Sequence, residues 1–184
     1  MEKKELALAG VYEVILKSFE DDRGSFTRTF DEKLFNELGI PGHWVQENHT
    51  RNKKAGTIRG LHFLLPPDTD GKLIRCTRGM IWDVIADLRK GSSTLGSWIN
   101  VVLSETDHHW IYIPKGFAHG FCTLTDDAEV LYKHDSYYQK NSDSGIVWND
   151  KDLNIPWPVQ DPIISEKDKG LMTFNEFITN YRGL

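Results

Sequence analysis

Cysteine is scarce in this chain. Only Cys76 and Cys122 occur, both in apolar β-like surroundings and without CxxC spacing. That excludes a disulfide scaffold and a cysteine-rich metal site, and predicts two buried free thiols in a reducing compartment. Long hydrophobic runs are also missing. No stretch approaches the roughly 20 apolar residues of a membrane span, and Met1-Glu2-Lys3-Lys4-Glu5 lacks the apolar core of a signal peptide. A cytoplasmic protein with no membrane association is expected. Positive charge is in deficit: 22 Lys and Arg face 27 Asp and Glu, for a net charge of -5, so no nucleic-acid partner is expected. No His-x-His pair, internal repeat or low-complexity segment occurs.

What is present is β-sequence. At 184 residues the chain has room for one domain with a real core, and a single domain over 1–184 is expected. Strands are predicted over Gly10–Leu16, Trp44–His49, Thr57–Leu64, Lys72–Arg78, Met80–Leu88, Gly96–Leu103, His109–Ile113, Gly120–Thr125 and Glu129–Tyr138. Short turns separate them, among them Asp21-Asp22-Arg23-Gly24 and the basic turn 51–56. Strands this closely spaced indicate a sandwich or barrel and not βαβ units. A helix is predicted over Asp31–Leu38, capped by Asp31 and stopped by Gly39, and another around Thr173–Thr179 in a polar, partly helical tail, 165–184. Adjacent His108 and His109, read as strand residues, would face opposite ways, one on the surface and one in the core, and form no metal site.

Among these strands Arg59-Gly60-Leu61-His62-Phe63 stands out. Leu61 and Phe63 put apolar groups on one face, which turns the His62 imidazole to the other. Lys72, His119 and Tyr132 also fall on predicted strands or strand ends. Histidine as base, lysine as electrostatic stabiliser and tyrosine as acid are the parts required for proton abstraction beside a carbonyl. Arg23, Arg59, Gln46 and Asn48 suit an anionic, hydroxyl-rich ligand. Taken one at a time, each has a plainer reading: a bonded core histidine, a solvated lysine, a core tyrosine.

Several motifs resemble the dTDP-4-dehydrorhamnose 3,5-epimerase family. They are Arg59-Gly60-Leu61-His62-Phe63, Gly71-Lys72-Leu73-Ile74-Arg75, Trp82 to Arg89, Ile113 to Phe121, Leu131-Tyr132-Lys133, Trp148-Asn149-Asp150, Ile155-Pro156-Trp157-Pro158 and Ile164 to Asp168. In that family's order and spacing they cover about Gly10 to Asp168. The resemblance implies an all-β, cupin-type jelly-roll barrel with a few short peripheral helices. It also implies a homodimer, a nucleotide-sugar substrate and no cofactor or metal. His62 matches the base, Asp168 the carboxylate that orients it, Tyr132 the acid of the opposite face and Lys72 the cation beside the sugar C4 oxygen. Arg23, Phe26, Arg28 and Arg59 match the nucleotide-diphosphate contact positions, some supplied across the dimer. Gln46, Asn48, His119, Asp143 and Lys167 match further substrate contacts, and Tyr138 matches a tyrosine stacked on the base. One departure is Arg28, which stands where the family usually has glutamate. Leu64-Leu65 is a second, at the pocket lip, where glutamine commonly follows the histidine–aromatic pair.

The implied reaction is epimerisation at C3 and C5 of a nucleotide-linked 4-keto-6-deoxy sugar, with dTDP-4-dehydro-6-deoxy-D-glucose favoured. Alternatives are a mono-epimerase acting at C3 or C5 on another nucleotide-linked 4-keto sugar, a metal-dependent cupin oxygenase and a non-catalytic sugar-binding barrel. The missing His-x-His weighs against the oxygenase, and the presence of both base and acid weighs against the silent barrel.

Overall fold

The computed structural model describes residues 1–184. Its strands are β1 (Glu2–Glu5), β2 (Tyr12–Ile15), β3 (Ser18–Asp21), β4 (Gly24–Thr27), β5 (Gln46–Asn52), β6 (Ile58–Leu64), β7 (Lys72–Arg78), β8 (Met80–Asp87), β9 (Trp98–Ser104), β10 (Trp110–Ile113), β11 (Phe117–Thr123), β12 (Ala128–His134) and β13 (Asp143–Gly145). The helices are α1 (Glu32–Glu37), α2 (Glu166–Lys169) and α3 (Phe174–Tyr181). None is long and apolar enough to cross a membrane. One sheet of six strands runs β1-β2-β10-β7-β12-β5, a second of five runs β13-β6-β11-β8-β9, and β3-β4 form a separate hairpin. Every pairing between named strands is antiparallel. This is the expected β-rich, jelly-roll architecture.

Period-two alternation sorts the side chains into layers. Ile74, Ile111 and Val130 from the larger sheet meet Ile81, Ile85 and Phe121 from the smaller one in the inner core, with Tyr132 packed against it. Leu61, Phe63, Val84 and Ala118 point the other way, into a cluster with Phe177 of α3. On the outside of the larger sheet, Leu73 and Trp110 pack with Phe35 of α1. The intervening residues Lys72, His62 and His119 are consequently turned inward.

Helices α1 and α3 form where they were expected. Asp31 accepts a hydrogen bond from the Leu34 amide, and Gly39 follows at a φ of +70°. Thr173 and Glu176 close a reciprocal capping box on α3, a device contributing about 1 kcal/mol. The C-terminal tail is more firmly docked than its polarity suggests. Phe177 is fully buried, a contribution of roughly 1.5–3 kcal/mol, and Met172 forms a parallel bridge with Ile146.

Four expectations need correction. Strand β5 starts at Gln46 and runs through Arg51 and Asn52, because pairing with β12 continues to Asn52–Ala128; the basic turn is therefore shorter. Strand β12 ends at His134 and leaves Tyr138 in a loop, since its neighbours supply no partner beyond Lys72 and Gln46. His108 and His109 both precede β10, and both are half-buried; His109 Nδ1 lies 2.8 Å from Glu13 Oε1. They are not one surface and one core residue. Strands β1, β3, β4 and β13 and helix α2, each three or four residues long, were not expected at all. Cys76 and Cys122 are free and buried as predicted. Burial pushes both thiols up to about 11.

Candidate active site

A cavity of about 680 Å³ opens between the two sheets. His62 enters from β6, His119 from β11, and Lys72, Tyr132 and His134 from the opposite sheet. Gln46, Asn48, Arg59, Tyr138, Asp143 and Lys167 complete the wall around them.

His62 Nε2 lies 2.9 Å from Asp168 Oδ1. The second carboxylate oxygen accepts the Gly60 amide at 3.1 Å, and Ser165 caps the short helix carrying Asp168. Burial opposes ionisation of Asp168, but the hydrogen bonds and charge of His62 and the Gly60 amide outweigh it and hold the carboxyl below its ordinary range. An ionised carboxylate only accepts, so the Nε2 hydrogen points at Asp168 and the Nδ1 lone pair is free to act as a base. His62 keeps 34% side-chain exposure against 5% for Asp168, so the ring reaches the cavity while its partner stays dry. Gly60 lets β6 lie close against β11 beside this pair. Its φ is +107°, and a Cβ there would meet the His119 carbonyl at 2.6 Å.

Tyr132 faces this pair from the other sheet. Burial raises its phenol above the ordinary value, partly offset by Arg59, so the hydroxyl keeps its proton at neutral pH. Lys72 Nζ lies 3.4 Å from the His62 carbonyl oxygen. His119 Nε2 sits 2.7 Å from Asp83 Oδ1, and that aspartate is wholly buried with Oδ2 unpartnered.

At the rim, Asp143 Oδ2 accepts from Tyr138 at 2.9 Å and from Lys167 at 2.5 Å. Gln46 accepts the Tyr138 amide, and Arg59 Nε donates to Asn52 at 2.7 Å. Arg59, Lys72 and Lys167 bring three cations to a cavity lined by two aspartates, Asp70 and Asp143, in a chain of net charge -5, which leaves a local excess of positive charge suited to an anion.

Three anticipated residues lie elsewhere. Arg23 pairs with Asp21 and Arg28 with Asp31, and Phe26 is 66% exposed. Arg23 and Phe26 sit on the β3–β4 hairpin and Arg28 directly after it, and none lines the cavity. Sequence reasoning missed Asp70, His134 and Asp83. A charged residue in the otherwise apolar run Met80 to Ala86 was the one available signal for Asp83.

The sequence profile of the dTDP-4-dehydrorhamnose 3,5-epimerase family matches residues 5–176. The chain is 48% identical to the dTDP-4-dehydrorhamnose 3,5-epimerase of Shigella flexneri over 153 residues, covering 83% of this chain and 84% of that one. The crystal structure of the Bacillus anthracis enzyme, with TDP and PPi bound, superposes with a TM-score of 0.91 at 45% identity, over 94% of this chain and 98% of the other. That of the Legionella pneumophila enzyme, in complex with dTDP-4-keto-L-rhamnose, gives 0.89 at 36% identity, over 95% and 93%.

Proposed function

This chain belongs to the dTDP-4-dehydrorhamnose 3,5-epimerase family, and from that premise we propose how its own residues carry out the reaction. It is an isomerase that inverts C3 and C5 of a nucleotide-linked 4-keto-6-deoxy sugar, with dTDP-4-dehydro-6-deoxy-D-glucose as substrate and dTDP-4-dehydro-L-rhamnose as product.

A proton α to a ketone is acidic because the anion left behind is an enolate. The C4 ketone activates C3 and C5 alike, so one base on one face serves both in turn. His62 Nδ1 takes the proton, and Asp168 at 2.9 Å stabilises the imidazolium that forms. Lys72 stands beside the C4 oxygen as negative charge develops there. Tyr132, still protonated because of its burial, delivers a proton from the opposite face and becomes the phenolate. That phenolate and the imidazolium are reset through solvent. No oxidation state changes overall, so the chemistry calls for no redox cofactor.

Arg59, Lys167, Gln46, Asn48 and His119 bind the ligand, and Tyr138 stacks on its base. Arg23, Phe26 and Arg28 act in a homodimer, where the exposed hairpin of one protomer reaches the neighbour's cavity. Use of a nucleotide sugar supports a cytoplasmic location.

The carrying observation is the His62–Asp168 pair facing Tyr132 and Lys72 across one cavity. NMR in deuterated water with dTDP-, CDP- and GDP-linked 4-keto-6-deoxyglucose tests it. Deuterium is expected at both C3 and C5 of the dTDP-linked sugar. Exchange at one carbon alone would make the enzyme a mono-epimerase, and none would leave a silent barrel.

A further inference from the structure

Lys72 is held by more than its strand. Its Nζ lies 3.5 Å from Asp70 Oδ1, while Asp70 Oδ2 lies 2.6 Å from His134 Nδ1. Each carboxylate oxygen is therefore committed to a different partner. All three side chains are nearly out of solvent, at 8% exposure for Lys72, 4% for Asp70 and 12% for His134. Lys72 and His134 are direct cross-strand partners in the β7–β12 register, so Asp70 bridges two points whose spacing the sheet itself fixes. Burial acts to raise the Asp70 carboxyl, but the Lys72 charge and the His134 hydrogen bond hold it at about 2. The bridge is ionised throughout the neutral range.

A lysine on a flexible four-carbon stem samples many rotamers, whereas one tied to a fixed carboxylate does not. A cation already in place needs no reorganisation as oxyanion charge appears, and that preorganisation is where electrostatic catalysis is gained. We propose that Asp70 and His134 are positioning residues for the epimerisation. His134 fixes the carboxylate, the carboxylate fixes the Lys72 ammonium, and the ammonium meets the charge developing on the C4 oxygen. The inference rests on the role given to Lys72 above. Because that charge is greater in the transition state than in the bound ketone, loosening the clamp lowers kcat and leaves KM nearly alone.

The test compares His134→Leu, His134→Asn and Asp70→Asn with Lys72→Met and with the His134→Leu/Lys72→Met double variant, measuring kcat and KM on the dTDP-linked 4-keto sugar. Asparagine keeps an N–H near the Nδ1 position, and leucine removes it. His134→Leu is expected to lower kcat about tenfold and Asp70→Asn about ten- to a hundredfold, the range for losing a hydrogen bond to a charged group. KM should stay within about twofold, and His134→Asn should regain most of the rate. In the Lys72→Met background His134→Leu should cost less than about twofold, as expected of residues acting as one unit. Unchanged kcat in both His134→Leu and Asp70→Asn would overturn the inference alone, as would an undiminished loss in the Lys72→Met background. A Lys72→Met enzyme that keeps its kcat would instead overturn the role of Lys72, and this inference with it.

Discussion

Two histidines stand side by side on one sheet, each paired with an aspartate, and the two pairs are built differently. His62 and His119 are cross-strand partners on β6 and β11. His62 is 34% exposed on its side chain and its aspartate has every acceptor answered; His119 is 11% exposed, and its aspartate keeps one oxygen unpartnered. Burial raises the Asp83 carboxyl, outweighing the opposing charge and hydrogen bond of His119, whereas Asp168 is lowered. The lesson concerns access and charge together. A general base needs a reachable ring backed by a stable carboxylate, and only the first pair has both. The second is a brace whose ring edge touches the cavity.

The largest difference should appear on replacing each aspartate with asparagine. Asp168→Asn is expected to lower kcat by roughly a hundredfold or more, since the imidazolium loses its counter-charge and the ring its enforced tautomer. Asp83→Asn keeps an acceptor for His119 and should cost no more than about fivefold, in KM. Equal losses in kcat would erase the distinction.

Stability against pH should separate the pairs again, more gently. A lowered carboxyl contributes stability that is present above its unfolded value of about 3.9 and is lost as pH falls through the native value. A raised one contributes stability that is full below about 3.9 and is lost as pH rises through the native value. Thermal midpoints from pH 3 to 8 should therefore show Asp168→Asn falling behind the wild type as pH rises through the region below about 4. Asp83→Asn should gain on it above about 4. Parallel curves for the two variants would contradict the opposite shifts.

An effect on binding alone is expected far from either pair. Arg28 is 61% exposed and tied only to Asp31. If it contacts a neighbour's nucleotide, as proposed, it would bind ground and transition states alike, so Arg28→Glu should move KM for the dTDP-linked substrate about tenfold with kcat nearly constant. A fall in kcat with KM unmoved would remove Arg28 from nucleotide selection.

How much of this was legible in the sequence differs with the kind of contact. Strand β7 is bounded as read, because its run from Leu73 to Thr77, apolar or β-branched but for Arg75, stops at the Gly79 turn, a local signal. The β3–β4 hairpin and β13 were not, being short and largely polar. The inward turn of His62 followed from Leu61 and Phe63 alone. Its partnership with Asp168 did not, since a polar tail gives no sign that α2 will dock its aspartate beneath Gly60; only the family resemblance pointed there. Asp70 and His134 were invisible for another reason. Their meaning arises from the β7–β12 register, which no single segment contains.

The central claim is that one base, His62, serves both carbons. His62→Ala in deuterated water, followed by NMR of the dTDP-linked 4-keto sugar, tests it most directly. Loss of exchange at C3 and C5 together is expected, with the thermal midpoint changed by only a few degrees. Substantial exchange surviving at either carbon would mean a second base, and would contradict it.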